Sequence, residues 1–429
     1  MNRRIEIITV GDEVLRGETQ EQNGVWLSRA LIRSGLDVWK ITALPDDMDI
    51  LVAEFREAAG RSEKIIVTGG LGPTVDDLTK EALIRALGAK TEFRDDIVAG
   101  VEKRLRERGR EMIAGYRDQG RVPAGAEIIE NPVGLAVGLR VRCGGGEFFL
   151  LPGVPGEMRA MFSGSVLPAL GAQGIDAYIR MRTFGLIETD VENALKRVIP
   201  EDVLRDVSII SSPRGADFYI PRAGEGAAHA ANAARELGSY LFGEGNAPLE
   251  AVVVELLAAR RLSLAAAESV TGGLIASTVI SVPGASEVFR EGFVTYGNDA
   301  KVERLGVSRA TLEAHGAVSA EVCIEMVEGA RRTARVDYAL STTGIAGPTG
   351  AVPGKPVGTC FIGLSGPEAT FCRGFQLMGD RELVRTRAAY CALDMLRLAL
   401  AGERERLEPY RTGAAPRRAR GGPTKRRRT

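Results

Sequence analysis

Apolar positions along this chain fall either into short continuous runs or into longer stretches with helical spacing, and the two kinds alternate. Residues 5–10, Ile-Glu-Ile-Ile-Thr-Val, are too short and too β-branched for a helix and predict a buried strand. Residues 23–34 have amphipathic helical spacing, 36–43 read as a strand, 48–59 as a helix and 64–68 as a second buried strand. That alternation predicts an α/β domain over residues 1–170. A smaller α+β unit is expected at 176–245, ordered strand, helix (188–198), two strands (207–211 and 217–222) and helix (226–241). Gly243-Glu-Gly-Asn-Ala-Pro248 reads as a linker. A third domain, α/β again, is expected at 248–401. It contains a strand at 261–267, an apolar helix opened by Gly272-Gly273, a helix at 320–333 and a buried strand at 337–342. An antiparallel pair at 357–364 and 369–376 and a closing helix at 380–400 complete it.

Composition narrows the class. With 429 residues, 45% apolar and 26% charged, the chain has enough material for two or three domains with their own cores. Nothing in it reads as a membrane span, and the N-terminus runs straight into the first strand rather than through a signal peptide, so a cytoplasmic protein is expected. Five cysteines, an odd number without a Cys-x-x-Cys pair, fit reduced thiols and give no zinc framework. The formal charge of zero conceals a basic tail at 411–429, with eight Lys or Arg and no acid, on a body that is net acidic. Such a tail is expected to be disordered. It reads as a solubility segment, because no aromatic residue follows Tyr410 to stack on bases; a nucleic-acid arm is the alternative.

Candidate chemistry concentrates in Ala265-Ala-Ala-Glu-Ser-Val-Thr-Gly-Gly273 and Phe293-Val-Thr-Tyr-Gly-Asn-Asp-Ala-Lys301. Ser269 falls on a strand-to-helix turn, where backbone N–H groups face whatever lies before the helix. Its hydroxyl is a candidate nucleophile; a plain helix cap is the alternative. The only histidines are His229 and His315, so a lysine base is more economical than a Ser-His-Asp set, and Lys301 is the candidate. An ordinary lysine, with a pKa of about 10.4, is protonated at neutral pH, so this role requires desolvation or a neighbouring positive charge. In the first domain, Gly69-Gly-Leu-Gly-Pro-Thr-Val-Asp-Asp77 follows a strand and precedes a helix, where open α/β sheets bind ligands. The glycines admit a phosphate or pterin, and Asp76 and Asp77 are candidate ligands for a divalent metal; capping of the helix is the alternative for Asp77.

Further stretches carry a family resemblance. Gly292-Phe-Val-Thr-Tyr-Gly-Asn298, His315-Gly-Ala-Val-Ser319, Thr343-Gly-Ile-Ala-Gly-Pro348, Lys355-Pro-Val-Gly358 and Gly379-Asp-Arg381 join the serine motif in an order that resembles the C-terminal domain of CinA proteins, the nicotinamide mononucleotide deamidases. The resemblance implies Ser269 as nucleophile, Lys301 as general base and Tyr296 in the same site, with no cofactor. Asn298 is a further candidate at the substrate; Thr343, Gly344 and Gly347 lie just past a strand, where glycines admit a ribose or phosphate, and Arg381 is the candidate phosphate ligand because guanidinium binds phosphate oxygens in pairs, surface pairing with Asp380 or Glu382 being the alternative. Oxyanion donors are then expected from Thr271, Gly272 and Gly273. Val270 stands where relatives commonly carry cysteine, and Gly354 where an acid is usual.

Gly11-Asp-Glu-Val-Leu-Arg-Gly17, Gly69 to Thr74 and Leu151-Pro-Gly-Val-Pro-Gly-Glu-Met158 resemble the molybdopterin-binding-like domain of the same family, some of whose members cleave ADP-ribose with a metal. That implies a nucleotide site made of Gly69, Gly70, Gly72, Thr74, Asp12 and Glu157. Two motifs depart from the family pattern, Asn131-Pro-Val-Gly-Leu-Ala-Val-Gly138 and Tyr116-Arg-Asp-Gln-Gly120, which puts pyrophosphatase activity in doubt. The middle unit resembles the family's KH-like insert but lacks a Gly-x-x-Gly clamp, so a spacer is expected. Nicotinamide mononucleotide and ADP-ribose are the expected small-molecule partners and a homodimer the expected assembly. The family name leaves a second reading open, a pterin-binding or competence accessory protein with a DNA-contacting tail.

Overall fold

The computed structural model describes residues 5–143, 146–172 and 177–407. It divides into two compact units, Met1–Ala177 and Tyr178–Thr429. The basic tail at 411–429 lies outside the described residues.

In the first unit β1 (Ile5–Val10) is buried at every position, as a strand covered on both faces must be. Its alternate side chains feed two cores. Ile5 and Ile7 pack with Leu27 and Leu31 of α1 (Asn23–Arg33), whereas Ile8 and Val10 join Leu51 and Phe55 of α2 (Met48–Arg61), which follows β2 (Val38–Leu44). Then come β3 (Lys64–Thr68), α3 (Thr79–Leu87), α4 (Asp95–Glu107), β4 (Glu127–Ile129), β5 (Gly138–Cys143), β6 (Gly146–Leu151) and α5 (Pro155–Met161). The sheet order is β2-β1-β3-β6-β5-β4, parallel through β6 and antiparallel beyond it. The glycine loop follows β3 at the carboxyl end of this parallel set.

The second unit begins with a four-stranded antiparallel sheet. Its strands are β7 (Tyr178–Thr183), β8 (Ser208–Ser212), β9 (Gly215–Pro221) and β10 (Leu241–Glu244), in the order β8-β9-β7-β10, with helices α6 (Glu188–Leu195) and α7 (Gly226–Leu237). The helix expected to reach residue 241 stops at Leu237, because Gly238 turns to φ +52°. The chain then pairs with β7 as β10. The expected linker is held as well, since Arg182 donates to the carbonyls of Asn246 and Ala247.

α8 (Leu249–Ala259) leads into the larger sheet. Arg261, at φ +55°, ends that helix in the left-handed region, so the strand predicted from residue 261 starts later, as β11 (Leu264–Glu268). β11 lies between helices on both sides. Leu264 and Ala266 face Val253 and Leu257 of α8 and Ala388 of the closing helix, while Ala265 and Ala267 face Met326 and Ala330 of another. That crowding accounts for its small side chains. After it come α9 (Leu274–Ile280), β12 (Phe289–Val294), α10 (Asn298–Leu305), α11 (Ala320–Ala334), β13 (Tyr338–Gly344), β14 (Thr359–Ser365), β15 (Thr370–Gln376) and α12 (Arg381–Ala401). The order is β12-β11-β13-β14-β15; the first three strands are parallel, so their carboxyl ends lie side by side. No helix among the described residues is long and apolar enough to cross a membrane.

Candidate active site

Three loops leave those adjacent strand ends. Ser269 directly follows β11, with its amide donating to the Thr342 carbonyl of β13. Thr295 and Tyr296 follow β12, and Gly344 to Gly347 end or follow β13. From the first turn of α10, Lys301 reaches back beneath them and is 1% exposed. Its Nζ lies 3.2 Å from Ser269 Oγ, 2.9 Å from the Thr295 carbonyl and 3.1 Å from the Tyr296 carbonyl. Burial lowers the lysine pKa from its ordinary value, because an ammonium here has left water without meeting a carboxylate. A neutral amine has two hydrogens and one lone pair. With both hydrogens donated to the carbonyls, the lone pair is left for the Ser269 hydroxyl.

The turn after Ser269 is organised differently from the expectation. Glu268, fully buried, folds its carboxylate under the start of α9 and accepts from the amides of Gly273 (2.9 Å), Ile275 (2.9 Å) and Ala276 (2.8 Å). Gly273 is therefore not an oxyanion donor: its N–H is taken by the Glu268 carboxylate. The amides of Thr271 and Gly272 have no acceptor among the described residues. The Thr271 side chain is buried and shares a 2.7 Å hydrogen bond with Thr342, so it braces the turn rather than meeting substrate. Gly272 and Gly273 sit at φ +60° and +94°, where side chains are strained.

Around this centre, Arg381 donates to the Gly347 carbonyl (3.1 Å) and to the Tyr296 hydroxyl (3.2 Å), joining three sequence candidates in one rim. It pairs with neither Asp380, which caps α12 through the Leu383 amide, nor Glu382. Tyr296 itself is 64% exposed. Asn298 is exposed at the first position of α10. Thr343 differs from the expectation, being 1% exposed and spending its hydroxyl on the Ala317 carbonyl, which ties down the 315–319 loop. Gly344 is small because a Cβ would come 2.5 Å from Cys360 Sγ on β14. Sequence reasoning missed Arg385, whose guanidinium donates to the Thr271 carbonyl at 2.9 Å. The signal was its i+4 spacing from Arg381, which puts both on one face of α12. It also missed Thr295, a buried hydroxyl with no hydrogen-bond partner among the described residues.

In the first unit the three resembling stretches frame a cleft of about 460 Å³. Gly69, Gly70, Gly72, Asp76, Asp77 and Glu157 line it; Asp12 and Thr74 do not. Asp12 is turned to Arg16 and to the Asp46 amide, and it is Glu13 that faces the cleft. Asp77 is also reassigned. It accepts from the Gly72 amide (2.6 Å), the Thr74 amide (2.8 Å) and the Thr74 hydroxyl (2.5 Å), bracing the glycine loop rather than capping α3. Gly69 is required by close approach, since a Cβ would lie 2.0 Å from the Val10 carbonyl. The two departing motifs act as clamps here. Gln119 bonds the Leu71 carbonyl and the Val137 amide, and Asn131 bonds Glu157 at 2.5 Å. Asp46, also missed, has its carboxyl raised by burial, the Asp12 amide opposing and the negative Asp12, Glu13 and Asp76 adding to the rise. Arg108 and Arg110 are the cations on the cleft's wall. Among the described residues no group of three or more His, Cys, Asp and Glu side chains is placed to hold a metal ion.

Comparison with known proteins matches both units. The profile of the probable molybdopterin binding domain covers residues 6–172, and that of the CinA C-terminal domain covers 246–400. A CinA-like protein from an Anaeromyxobacter species is 40% identical over 409 residues, 93% of this chain and 100% of the relative. A putative competence-damage inducible protein from Caldicellulosiruptor saccharolyticus is 39% identical over 91% of this chain and 98% of its own length. The crystal structure of competence/damage inducible protein CihA from Agrobacterium tumefaciens is 36% identical, covers 36% of this chain and 93% of its own, and aligns with a TM-score of 0.35. With nearly full-length likeness to such relatives, and with both domain profiles matched in order, the chain belongs to the CinA family.

Proposed function

We propose that the C-terminal domain is an amidohydrolase that converts nicotinamide mononucleotide to nicotinate mononucleotide and ammonia. The observation that carries this reading is a buried lysine amine 3.2 Å from a serine hydroxyl, its remaining directions occupied by two carbonyls. Lys301 takes the Ser269 proton as Oγ attacks the carboxamide carbon, and the C–O bond forms as the carbonyl electrons move to oxygen. The Lys301 ammonium then returns its proton to the amide nitrogen, which leaves as ammonia when the C–N bond breaks. Water, deprotonated by the same amine, hydrolyses the acyl-enzyme to the carboxylate. A pyridinium ring suits the site in two ways. It withdraws electrons from the amide, and its positive charge disfavours protonation of Lys301. In this reading Arg381, which holds the Gly347 carbonyl, takes the phosphate, and the exposed Tyr296 ring meets the face of the pyridinium.

Purified chain incubated with nicotinamide mononucleotide should release ammonia and a product heavier by one mass unit, by mass spectrometry. Ser269→Ala should release none. Turnover by that variant at the wild-type rate would remove the proposal. For the first unit the supporting observation is the glycine-lined cleft with Arg108 and Arg110 on its wall, which suits a phosphorylated nucleotide or pterin. Of the two expected metal ligands, Asp77 is engaged with the glycine loop and Asp76 accepts from Thr74, which lowers its carboxyl pKa. AMP release from ADP-ribose that needs added Mg²⁺ would establish the pyrophosphatase activity. Its absence would leave ligand binding as this domain's role.

A further inference from the structure

The oxyanion that forms when Ser269 attacks needs donors, and the start of α9 cannot supply them, because Glu268 has taken its amides at Gly273, Ile275 and Ala276. The amides left are those of the turn itself, and one of them has its direction fixed from outside. Arg385 Nη2 donates to the Thr271 carbonyl at 2.9 Å, a shorter bond than the 3.4 Å one that the same carbonyl accepts from the Leu274 amide within the turn. A trans peptide unit points its C=O and its N–H in opposite directions. The arginine that holds the Thr271 carbonyl therefore turns the Gly272 N–H away from α12. Gly272 permits this orientation because its φ of +60° is open to glycine, and the only side-chain atom close to where a Cβ would stand is the Nη2 of the same guanidinium, at 3.6 Å.

We infer that Arg385 is a positioning residue: by gripping the Thr271 carbonyl it aims the Gly272 amide at the developing oxyanion, while Glu268 confines that role to the turn. The inference rests on the acyl-enzyme reading above and adds a residue that acts through the backbone without touching substrate. Arg381 and Arg385 thereby divide their work, the first at the rim where the phosphate would lie and the second behind the turn. Preorganised donors of this kind act on the transition state, so their loss lowers kcat and leaves KM nearly unchanged.

The test uses the full chain with Arg385→Ala and Arg385→Lys, read in two ways. Steady-state ammonia release from nicotinamide mononucleotide gives kcat and KM. The rate of Ser269 labelling by a fluorophosphonate reports the same oxyanion donors with no amide substrate. Arg385→Ala should lose about a hundredfold in kcat and slow labelling comparably, KM moving less than about threefold. Arg385→Lys keeps one donor to the carbonyl and should recover at least about a third of the loss on a logarithmic scale. Added guanidinium should raise the rate of the alanine variant. If KM rises with kcat unchanged, Arg385 is a phosphate ligand and the inference falls. It also falls if both variants match wild type in both readouts, whatever the substrate proves to be. Labelling at Ser269 that depends on Arg385 in a chain without turnover would remove the deamidase reading and keep this one; a wild type that neither labels nor turns over removes both. Thermal unfolding of each variant identifies any that fail to fold, and the lysine variant then carries the test.

Discussion

Lys301 is the residue on which the proposed chemistry turns, and its burial has a sign that can be measured. An unfolded lysine keeps its proton up to about pH 10.4, whereas the native one loses it lower, so unfolded chain binds the extra proton between those two values and stability rises with pH across that window. Below the window both states are protonated and the cost of the buried ammonium is felt in full. Lys301→Met should therefore raise the melting temperature relative to wild type more at about pH 6 than at about pH 9, while abolishing turnover. In wild type the acidic limb of kcat/KM should report Lys301, activity climbing with pH as the amine becomes neutral. The buried thiols behave oppositely as nucleophiles. Burial pushes the Cys360 and Cys391 thiols up to about 12, so neither is a thiolate at neutral pH. Cys323, fully buried beside Ser341, should be replaceable by alanine with kcat retained and roughly 1–2 kcal/mol of stability lost to the cavity.

At the scale of the element, the important unit is β11, its turn and α9. The sequence showed a strand of small residues, a serine and two glycines, and the expectation was a helix start with open amides. What it could not show was where the Glu268 side chain goes. A glutamate at the end of an apolar run reads equally as a solvated strand end, and only the path of the turn, set by two glycines with positive φ, folds its carboxylate under α9. Removing that cap should be severe. Glu268→Ala leaves three amides, that of buried Ile275 and those of half-buried Gly273 and Ala276, without an acceptor and should cost about 3 kcal/mol in chemical denaturation. Asp77 is the counterpart in the first unit. Asp77→Ala should loosen the Gly72–Thr74 loop and cost about 1–2 kcal/mol, read in the same way.

Within the second unit, the small antiparallel sheet and the larger one are joined by a buried charged network. Asp394 of α12 pairs with Arg397 at 2.6 Å and Arg406 at 3.5 Å, and both arginines donate to the Ser239 carbonyl at 2.7 Å. Phe184 and Phe242 from the small sheet also enter the core around α12. Asp394→Ala would strand two guanidinium groups and should cost about 3–5 kcal/mol, visible as an earlier unfolding transition. The middle segment is thus bound to the C-terminal domain by specific contacts.

Sequence alone determined the order of strands and helices, because burial on one or both faces writes a period of 2 or 3.6 into the chain. It marked the glycine turns and singled out Ser269 and Lys301 as candidates, because few residue types can perform the proposed chemistry. The tertiary structure decided matters of direction between distant segments: that Lys301 lies under the Ser269 hydroxyl, that Glu268 closes the helix start, that Asp77 braces a loop, and that Arg385 grips a carbonyl 114 positions away. Hydrogen bonds of such long sequence separation leave no local periodicity. They depend on where whole elements pack, and packing is a property of the assembled fold.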